Sequence, residues 1–396
     1  MTAVYNKALD KKIEVNRVLG NINSPKPGPT VVFFGGVHGN ETSGVFALKE
    51  VFENIDTEAL KGSLYAISGN LNALEKHQRY VDNDLNRLWT KPQIEIIKNK
   101  TSLNTDETEL LELLSVLESI LKTNHPPFYF IDLHTTSSKS LPFITINDAL
   151  INRKFAKQFP VPIVLGIEEY LNGPLLSYIN ELGYVSLGFE SGQHDAMSAI
   201  TNHMAFINLA LVFTGVLKKE NLTGFKEFYK ELETESKRTF DVFEVIYLYK
   251  LQKSDVFKML NGFDSFEKIK KGTKLAINNK KEITSKYNGS IFMPLYQKRG
   301  SEGFFIIKPI KPFFLKLSAL LRHSKVDSWL VLLPGISWFN KKEGVLDVDL
   351  KVAKFFVKPF FHLLGYRNRS LTRTHLKLNN RERVAKTEIY RHEPWY

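Results

Sequence analysis

The chain of 396 residues contains no cysteine, and this absence excludes several kinds of site. Disulfide bonds, thiol nucleophiles, iron–sulfur clusters and zinc sites with thiolate ligands all require cysteine. Any metal bound by this protein must therefore be held by His, Asp or Glu side chains. The absence of cysteine fits a protein of the reducing cytosol, although some periplasmic proteins also lack cysteine.

Long hydrophobic runs are missing as well. One suspicious apolar stretch, residues 328–340, has 13 uncharged residues and is interrupted by Pro334 and Gly335, so it is too short to span a bilayer. The first 15 residues, MTAVYNKALDKKIEV, lack the apolar core of a signal peptide. These absences predict a cytoplasmic protein, provided that Met1 is the true start.

The positive charge is concentrated at one end of the chain. The net charge is +12, and residues 311–396 hold 17 Lys and Arg against 7 Asp and Glu. The remaining residues hold 37 basic and 35 acidic side chains and are nearly neutral. Hydrophobic residues make up 43% and charged residues 24%, which excludes a disordered or collagen-like chain.

Strand-like and helix-like segments alternate through the first 220 residues. Short apolar runs rich in β-branched and aromatic residues predict buried strands at 31–36, 64–69, 128–133, 162–166 and 184–189. Helical patterns lie between or after them, at 106–123, 149–158 and 196–217. This alternation predicts an α/β sheet covered by helices on both faces.

The pattern changes near residue 221. Residues 240–251 alternate as a half-buried strand, and short strand-like pieces separated by Asn-Gly and Lys-Gly follow. We therefore expect an α/β catalytic domain at 1–224, a small β-rich domain at 225–310 and a basic, aromatic-rich C-terminal extension at 311–396.

Two predicted strands end in residues that bind metals. GGVHGNE places His38 and Glu41 on a tight turn, and DLH places Asp132 and His134 at the end of another strand. Two His and one Glu with an open fourth position form a catalytic zinc arrangement. Each motif alone is weak evidence for a metal site, because a single His after a strand usually has a structural role. A phosphate loop is the other interpretation, but the Lys and Ser/Thr of that motif are missing.

Two further motifs complete the set. RYVDNDLNR puts Arg79, Asn86 and Arg87 on one loop, where an Arg can hold a developing oxyanion and an Asn–Arg pair can hold a carboxylate. A salt-bridged loop, with Asp82 and Asp84 holding the arginines in place, is compatible with this role. GFESG places a carboxylate at a strand end, where it can take a proton from an activated water and pass it on.

Together these motifs resemble the aspartoacylase and succinylglutamate desuccinylase family of the zinc carboxypeptidase-like clan. GGVHGNE, RYVDNDLNR, DLHTT and GFESG occur in the family's order, and the resemblance covers residues 30–310. It implies a mixed central sheet and one zinc ion per chain, with His38, Glu41 and His134 as ligands. It also implies that Glu190 is the general base and proton shuttle.

The remaining roles also come from the resemblance. It implies that Arg79 polarises the scissile carbonyl and that Asn86 and Arg87 bind a substrate carboxylate. Asp132 would orient a ligand histidine, although a plain strand-end cap is an equal alternative. The β-rich region would border the entrance of the active site.

This sequence departs from the family in one segment. Family members carry an extra Arg shortly before the general base, which recognises a second substrate carboxylate. Residues 165–189 contain no Lys or Arg and offer Glu168 and Glu169 instead, although Arg153 or Arg299 could fold into the pocket. We therefore expect acyl-amino acids with a neutral or apolar second group to be preferred.

These observations favour a zinc-dependent hydrolase that cleaves the amide bond of an N-acyl amino acid or a similar small amide. The alternatives are a metallocarboxypeptidase for small peptides and a non-catalytic protein that binds anionic surfaces through its basic tail. A packed extension whose lysines face water is favoured over such a tail. The acyl group, the amino acid and the oligomeric state stay open.

Overall fold

The fold is that of a computed structural model, which describes residues 1–324, 326–353, 358–371 and 375–396. Its strands are β1 Thr2–Asn6, β2 Lys11–Val15, β3 Val18–Asn23, β4 Thr30–Gly35, β5 Ser63–Ser68, β6 Phe128–Thr136, β7 Phe143–Ile146, β8 Ile163–Leu165, β9 Val185–Gln193, β10 Val242–Lys250, β11 Phe257–Met259, β12 Lys268–Ile269, β13 Lys274–Asn278, β14 Lys281–Thr284, β15 Gly289–Phe292, β16 Glu302–Pro309, β17 Ile336–Asn340, β18 Val345–Asp349, β19 Tyr366–Leu371 and β20 His375–Asn380. Its α-helices are α1 Ser43–Asn54, α2 Leu71–Glu75, α3 Lys91–Lys98, α4 Thr105–Thr123, α5 Leu150–Ala156, α6 Leu175–Glu181, α7 Met197–Phe213, α8 Phe225–Glu235, α9 Pro312–His323, α10 Lys358–Leu363 and α11 Arg381–Val384.

A mixed sheet of 11 strands forms the centre of the molecule, in the order β12-β15-β16-β10-β8-β7-β9-β6-β4-β5-β3. Strands β5, β4, β6 and β9 run parallel to one another, whereas β3, β7 and β16 pair antiparallel with their neighbours β5, β9 and β10. The parallel strands bring their carboxyl ends to one edge, which is where open α/β sheets place ligands.

Strand β4 shows why helices cover both faces of this sheet. All six of its residues are buried. Val31 and Phe33 pack in one core cluster with residues of α1 and α7, whereas Val32 and Phe34 pack in a second cluster with residues of α4 and α6. Because side chains alternate along a strand, a run of apolar residues requires an apolar layer on each side. The predicted α/β class, with helices on both faces of a mixed sheet, is confirmed.

The structure adds strands that the sequence patterns did not predict. β1 and β2 form an antiparallel hairpin in a polar region, and β7 is a four-residue strand between β9 and β8. Such short segments contain too few residues to show a clear alternation of apolar and polar side chains. Strand β10 lies within the predicted 240–251.

The β-rich region continues the central sheet. Strands β10, β16, β15 and β12 extend it beyond β8, while β11, β13 and β14 form a separate three-stranded sheet. The division of the chain into three domains stays a prediction.

The C-terminal extension is folded and packed against the rest of the chain. Its strands form a four-stranded sheet in the order β17-β18-β20-β19. Near the end of the chain, Tyr390 and Trp395 are buried in the same core cluster as Tyr129 and Phe155. The hydroxyl of Tyr390 donates to the carbonyl of Phe128 and accepts the N–H of Val185. Part of the apolar cluster at 354–364 lies outside the described residues. Among the helices that are described, none has the length and apolar character needed to cross a membrane.

Candidate active site

Two histidines and one glutamate converge at the carboxyl edge of the sheet. His38 Nδ1 lies 2.8 Å from Glu41 Oε1, and His134 Nδ1 lies 3.0 Å from Glu41 Oε2. One ligand atom from each of these side chains lies within 4.8 Å of the others, and all three residues are buried. The structure thus brings together the three predicted metal ligands. His38, Glu41 and His134 form the metal-ligand group.

Local backbone geometry explains this convergence. Gly36 has a φ of 72°, and a Cβ on Gly39 would lie 2.0 Å from the carbonyl carbon of Ala73, so both turn positions require glycine. The turn follows β4 directly. Because β4 and β6 pair in parallel, with Gly35 opposite Leu133, the turn lies beside His134.

A carboxylate holds the other ring nitrogen of each histidine. Asp84 Oδ1 lies 3.1 Å from His38 Nε2, and Asp132 Oδ2 lies 2.7 Å from His134 Nε2. Such partners fix the ring orientation and keep Nδ1 available as a ligand. A donor set of two imidazoles and one carboxylate, each imidazole backed by a carboxylate, fits a zinc ion.

The charges within this group are strongly coupled. Burial disfavours the Glu41 carboxylate, but His38 and His134 outweigh burial and hold the pKa of Glu41 well below its ordinary value. Burial likewise disfavours the His134 cation, yet Asp132 and Glu41 raise the pKa of His134 well above its ordinary value. The group therefore favours a bound positive charge, which a metal ion would supply.

Arg79 lies beside the metal-ligand group. Its Nε donates to Asp84 Oδ2 at 3.1 Å, and one terminal nitrogen lies 3.7 Å from Glu41 Oε1. Asp84 thus holds Arg79 as the sequence predicts. Asp82 has no arginine partner in the described part of the chain, and its carboxylate instead accepts the backbone N–H of Thr105.

A buried carboxylate of α4 anchors the loop that carries Arg79. Asp106 accepts the backbone N–H groups of Asp82 at 2.6 Å and Asn83 at 2.8 Å. Because Asp106 is in the first turn of α4, the helix N-terminus also stabilises its charge. The loop is therefore held against the sheet edge by the body of the domain.

Asn86 and Arg87 lie on the same cavity wall with different partners. Asn86 Oδ1 accepts the N–H of Leu175 at 2.8 Å, and its Nδ2 has no partner among the described residues. Arg87 forms an ion pair of 3.1 Å with Glu302 of β16. The β-rich region thus contributes a side chain beside the predicted carboxylate site.

Glu190 faces the metal-ligand group from the neighbouring strand. It pairs in register with His134 between β9 and β6. Its Oε2 is buried without a hydrogen-bond partner in the described part of the chain. Burial raises the pKa of Glu190 to about 8, and the nearby Glu41 and Asp132 carboxylates act in the same direction. A carboxyl in this state is suited to proton transfer near neutral pH.

A cavity of about 110 Å³ joins these groups. Seven of the eight predicted site residues line it, and Asp132 supports the site through its hydrogen bond to His134. The lining also includes apolar residues from several elements: Ile146, Ile167, Leu171, Leu176, Met293, Leu295 and Phe305.

The cavity also contains polar residues to which the sequence analysis assigned no role at the site. His194, Thr135 and Gln297 line it, with His194 Nδ1 2.6 Å from the Thr135 hydroxyl and His194 Nε2 3.3 Å from Gln297 Oε1. The GQHD sequence just after Glu190 was the available signal for His194. Glu168 and Glu302 line the cavity too.

The two arginines considered as substitutes for the missing family arginine lie elsewhere. Arg153 donates to both carboxylate oxygens of Asp148, and Arg299 donates to the carbonyl of Tyr80. Neither lines the cavity; among the described lining residues, the Lys and Arg side chains are Arg79 and Arg87.

Comparisons with known proteins agree with the resemblance of the four motifs. Residues 27–207 match the family model for the succinylglutamate desuccinylase/aspartoacylase catalytic domain. A probable aspartoacylase of Trichodesmium erythraeum is 34% identical over 132 residues, which are 31% of this chain and 41% of that protein. A succinylglutamate desuccinylase of Photorhabdus laumondii is 30% identical over 109 residues, which are 27% of this chain and 33% of that protein.

Solved structures share the fold. A succinylglutamate desuccinylase/aspartoacylase from Rhodobacter sphaeroides superposes with a TM-score of 0.55 at 16% identity, covering 78% of this chain and 94% of that chain. By sequence, the chain spans only about two fifths of the length of the first curated relatives that it matches, 41% and 39%.

Proposed function

We propose that this chain, whose residues 27–207 belong to the succinylglutamate desuccinylase/aspartoacylase catalytic-domain family, is a zinc-dependent amidohydrolase of small N-acyl amino acids. One observation carries the proposal. The buried His38–Glu41–His134 group and the unpaired carboxyl of Glu190 line the same cavity.

Two imidazoles and a carboxylate leave positions open on a metal ion. A zinc ion held by His38 Nδ1, His134 Nδ1 and Glu41 would supply Lewis-acid polarisation of a carbonyl and lower the pKa of a bound water to about 7. Asp84 and Asp132 would keep both rings in the ligating orientation.

Glu190 acts as general base and then as general acid. It takes a proton from the water as the water oxygen bonds to the amide carbon. It returns that proton to the amine nitrogen as the carbon–nitrogen bond breaks. Its burial and its position opposite His134 support this double role, because a carboxyl with a raised pKa both accepts and releases protons near neutral pH.

Arg79 stabilises the negative charge that develops on the carbonyl oxygen. Its guanidinium is held by Asp84 and lies 3.7 Å from Glu41, so it is fixed beside the metal-ligand group before substrate binds. Fixed charges of this kind need no reorganisation during the reaction.

Asn86 and Arg87 hold the carboxylate of the substrate. The Nδ2 of Asn86 has no hydrogen-bond partner among the described residues, while Arg87 forms an ion pair with Glu302. The cavity of about 110 Å³ favours a small amide over a peptide. A second substrate carboxylate has no further Lys or Arg among the described lining residues, which supports a preference for a second group without negative charge.

Hydrolysis rates for a panel of N-acyl amino acids test this function. The metal-free protein, prepared with a chelator, is compared with protein to which zinc has been restored. We expect amine release that disappears on chelation and returns with zinc. Equal turnover in both states, or no turnover of any acyl amino acid by the zinc-loaded protein, would contradict the proposal.

A further inference from the structure

One buried carboxyl in the cavity lining has no role in the proposed reaction. Glu168 lines the cavity, is 8% exposed, and belongs to a short 3₁₀ turn, Ile167–Glu169, that follows β8. Arg367 and Arg381 act on its charge without lining the cavity, and Glu168 is not part of the metal-ligand group or its supporting carboxylates.

Only one oxygen of this carboxyl is hydrogen-bonded. Oε1 accepts the backbone N–H of Asp148 at 3.0 Å, whereas Oε2 is buried with no partner among the described residues. Burial raises the pKa of Glu168. A buried polar atom without a partner is costly, so an unpaired oxygen on a residue that lines the cavity calls for a partner that the protein itself does not supply.

The position of Glu168 is fixed by its surroundings. The Asp148 side chain is held by Arg153 and by two arginines of the C-terminal extension, Arg322 and Arg367. Arg367 also pairs with Glu169 at 3.0 Å. The backbone on both sides of the Glu168 hydrogen bond is therefore immobilised, and Glu168 cannot easily turn away from a poorly matched substrate.

We propose that Glu168 determines the substrate class, and that it selects acyl amino acids whose distal end carries a hydrogen-bonding group without negative charge. This inference rests on the proposed function. A side-chain amide or a primary ammonium group gives Oε2 a hydrogen-bond partner. A hydrocarbon end leaves that atom unpaired. A carboxylate end places a second anion beside it, and the described lining residues offer no Lys or Arg besides Arg79 and Arg87.

The test compares four N-acetyl amino acids of similar length at pH 8. They are the derivatives of glutamine, 2,4-diaminobutyrate, norvaline and glutamate, whose side chains end in an amide, an ammonium, a methyl and a carboxylate. For the zinc-loaded protein, we expect kcat/KM for the amide or the ammonium derivative to exceed that for norvaline and glutamate by at least about tenfold. An equal or higher value for norvaline or glutamate overturns the proposal.

Variants assign the selectivity to this residue. Glu168→Leu should bring the polar-to-norvaline ratio to about one or below, whereas the exposed control Glu220→Gln should leave the ratio unchanged. Glu168→Gln is isosteric and donates an N–H, so the discrimination against the glutamate derivative should shrink at least about tenfold even if the leucine variant fails to fold. Unchanged ratios in the folded variants overturn the role of Glu168. Loss of all hydrolysis in the zinc-loaded wild-type protein would instead contradict the proposed function.

Discussion

The guanidinium of Arg367 lies 2.6 Å from the carboxylate of Asp148, and both side chains are buried. Arg367 belongs to strand β19 of the C-terminal extension, and Asp148 lies between β7 and α5 in the α/β part of the chain. The extension is therefore attached by the charge of Arg367 and, near its C-terminus, by apolar packing of Tyr390 and Trp395. Contact of this extension with an anionic surface stays a prediction.

We expect one zinc ion per chain, bound by His38, Glu41 and His134. Elemental analysis of the purified protein should give a stoichiometric amount of zinc. His38→Ala and His134→Ala should each lose it, whereas the control His125→Ala, at an exposed position outside the cavity, should keep it. Full zinc content in either ligand variant would contradict the site.

Asp132→Asn should weaken zinc affinity about 10–100-fold, because it removes the carboxylate behind His134.

Glu190→Gln should keep the fold and the zinc but lose turnover. General acid–base groups typically contribute about 10²–10⁴-fold, and this residue acts in two steps. Steady-state kinetics alongside zinc analysis measure the effect, with Glu220→Gln as the control. A kcat close to that of the wild type would mean that another group is the base.

The two arginines of the cavity should differ in their kinetic effects. Arg79→Ala should lower kcat by about 10²–10³-fold, because its contact is made to charge that develops in the transition state. Arg87→Ala should mainly raise KM, since it removes a ground-state contact and leaves Glu302 facing the substrate carboxylate.

Glu302→Gln is the matched comparison for Arg87→Ala. It removes the ion-pair partner of Arg87, which leaves Arg87 free to bind the substrate carboxylate, so KM should fall. If Arg87→Ala reduces kcat while Arg79→Ala raises KM, the two roles must be exchanged.

The stability of the protein should depend on Asp148 in acid. Burial opposes its ionisation, but Arg153, Arg322 and Arg367 hold the pKa of Asp148 well below its ordinary value. A carboxyl with a depressed folded-state pKa stabilises the fold above its unfolded pKa of about 3.9, and this contribution disappears as the pH falls toward the folded value. Asp148→Asn should therefore cost about 3–5 kcal/mol at pH 7, because it leaves buried arginines without their shared partner.

Urea denaturation of the wild type and of Asp148→Asn measures this cost at several pH values. The difference in unfolding free energy should be constant between pH 8 and pH 5 and should shrink below about pH 4. The exposed variant Asp264→Asn should show no comparable cost. A difference that grows as the pH falls has the wrong sign for this carboxylate.

The buried hydroxyl of Tyr390 should contribute to stability through two backbone partners. Tyr390→Phe leaves the carbonyl of Phe128 and the N–H of Val185 without this partner and should cost about 1–3 kcal/mol. Tyr390→Ala also removes the ring from the core and should cost about 3–5 kcal/mol. The half-exposed Tyr287 provides the control, with Tyr287→Phe close to neutral in thermal and urea unfolding. Wild-type stability in Tyr390→Ala would show that the extension is not part of the core.

The metal-ligand group was predictable because each half of it is local in sequence. His38 and Glu41 are three residues apart on a glycine turn, and His134 ends a strand that reads clearly as buried. Parallel strands bring such ends to one edge, so the order of the motifs along the chain was sufficient to predict their approach. Asp82 shows the limit of this reasoning, because its charge and position suggested an arginine partner and the structure gives it a helix N-terminus instead.

The sequence alone thus determined the α/β class, the residues of the buried His–Glu–His group and the lack of Lys and Arg in residues 165–189. Only the tertiary structure decided that Arg153 and Arg299 lie outside the cavity, that Glu168 Oε2 has no partner among the described residues, and that Glu302 pairs with Arg87. It also decided that the basic end of the chain is packed into the fold, with Arg367 against Asp148. The physical reason is separation along the chain: contacts between residues 87 and 302 or 148 and 367 follow no period and no local turn rule. They arise only when distant segments compete to bury their apolar surface and pair their charges.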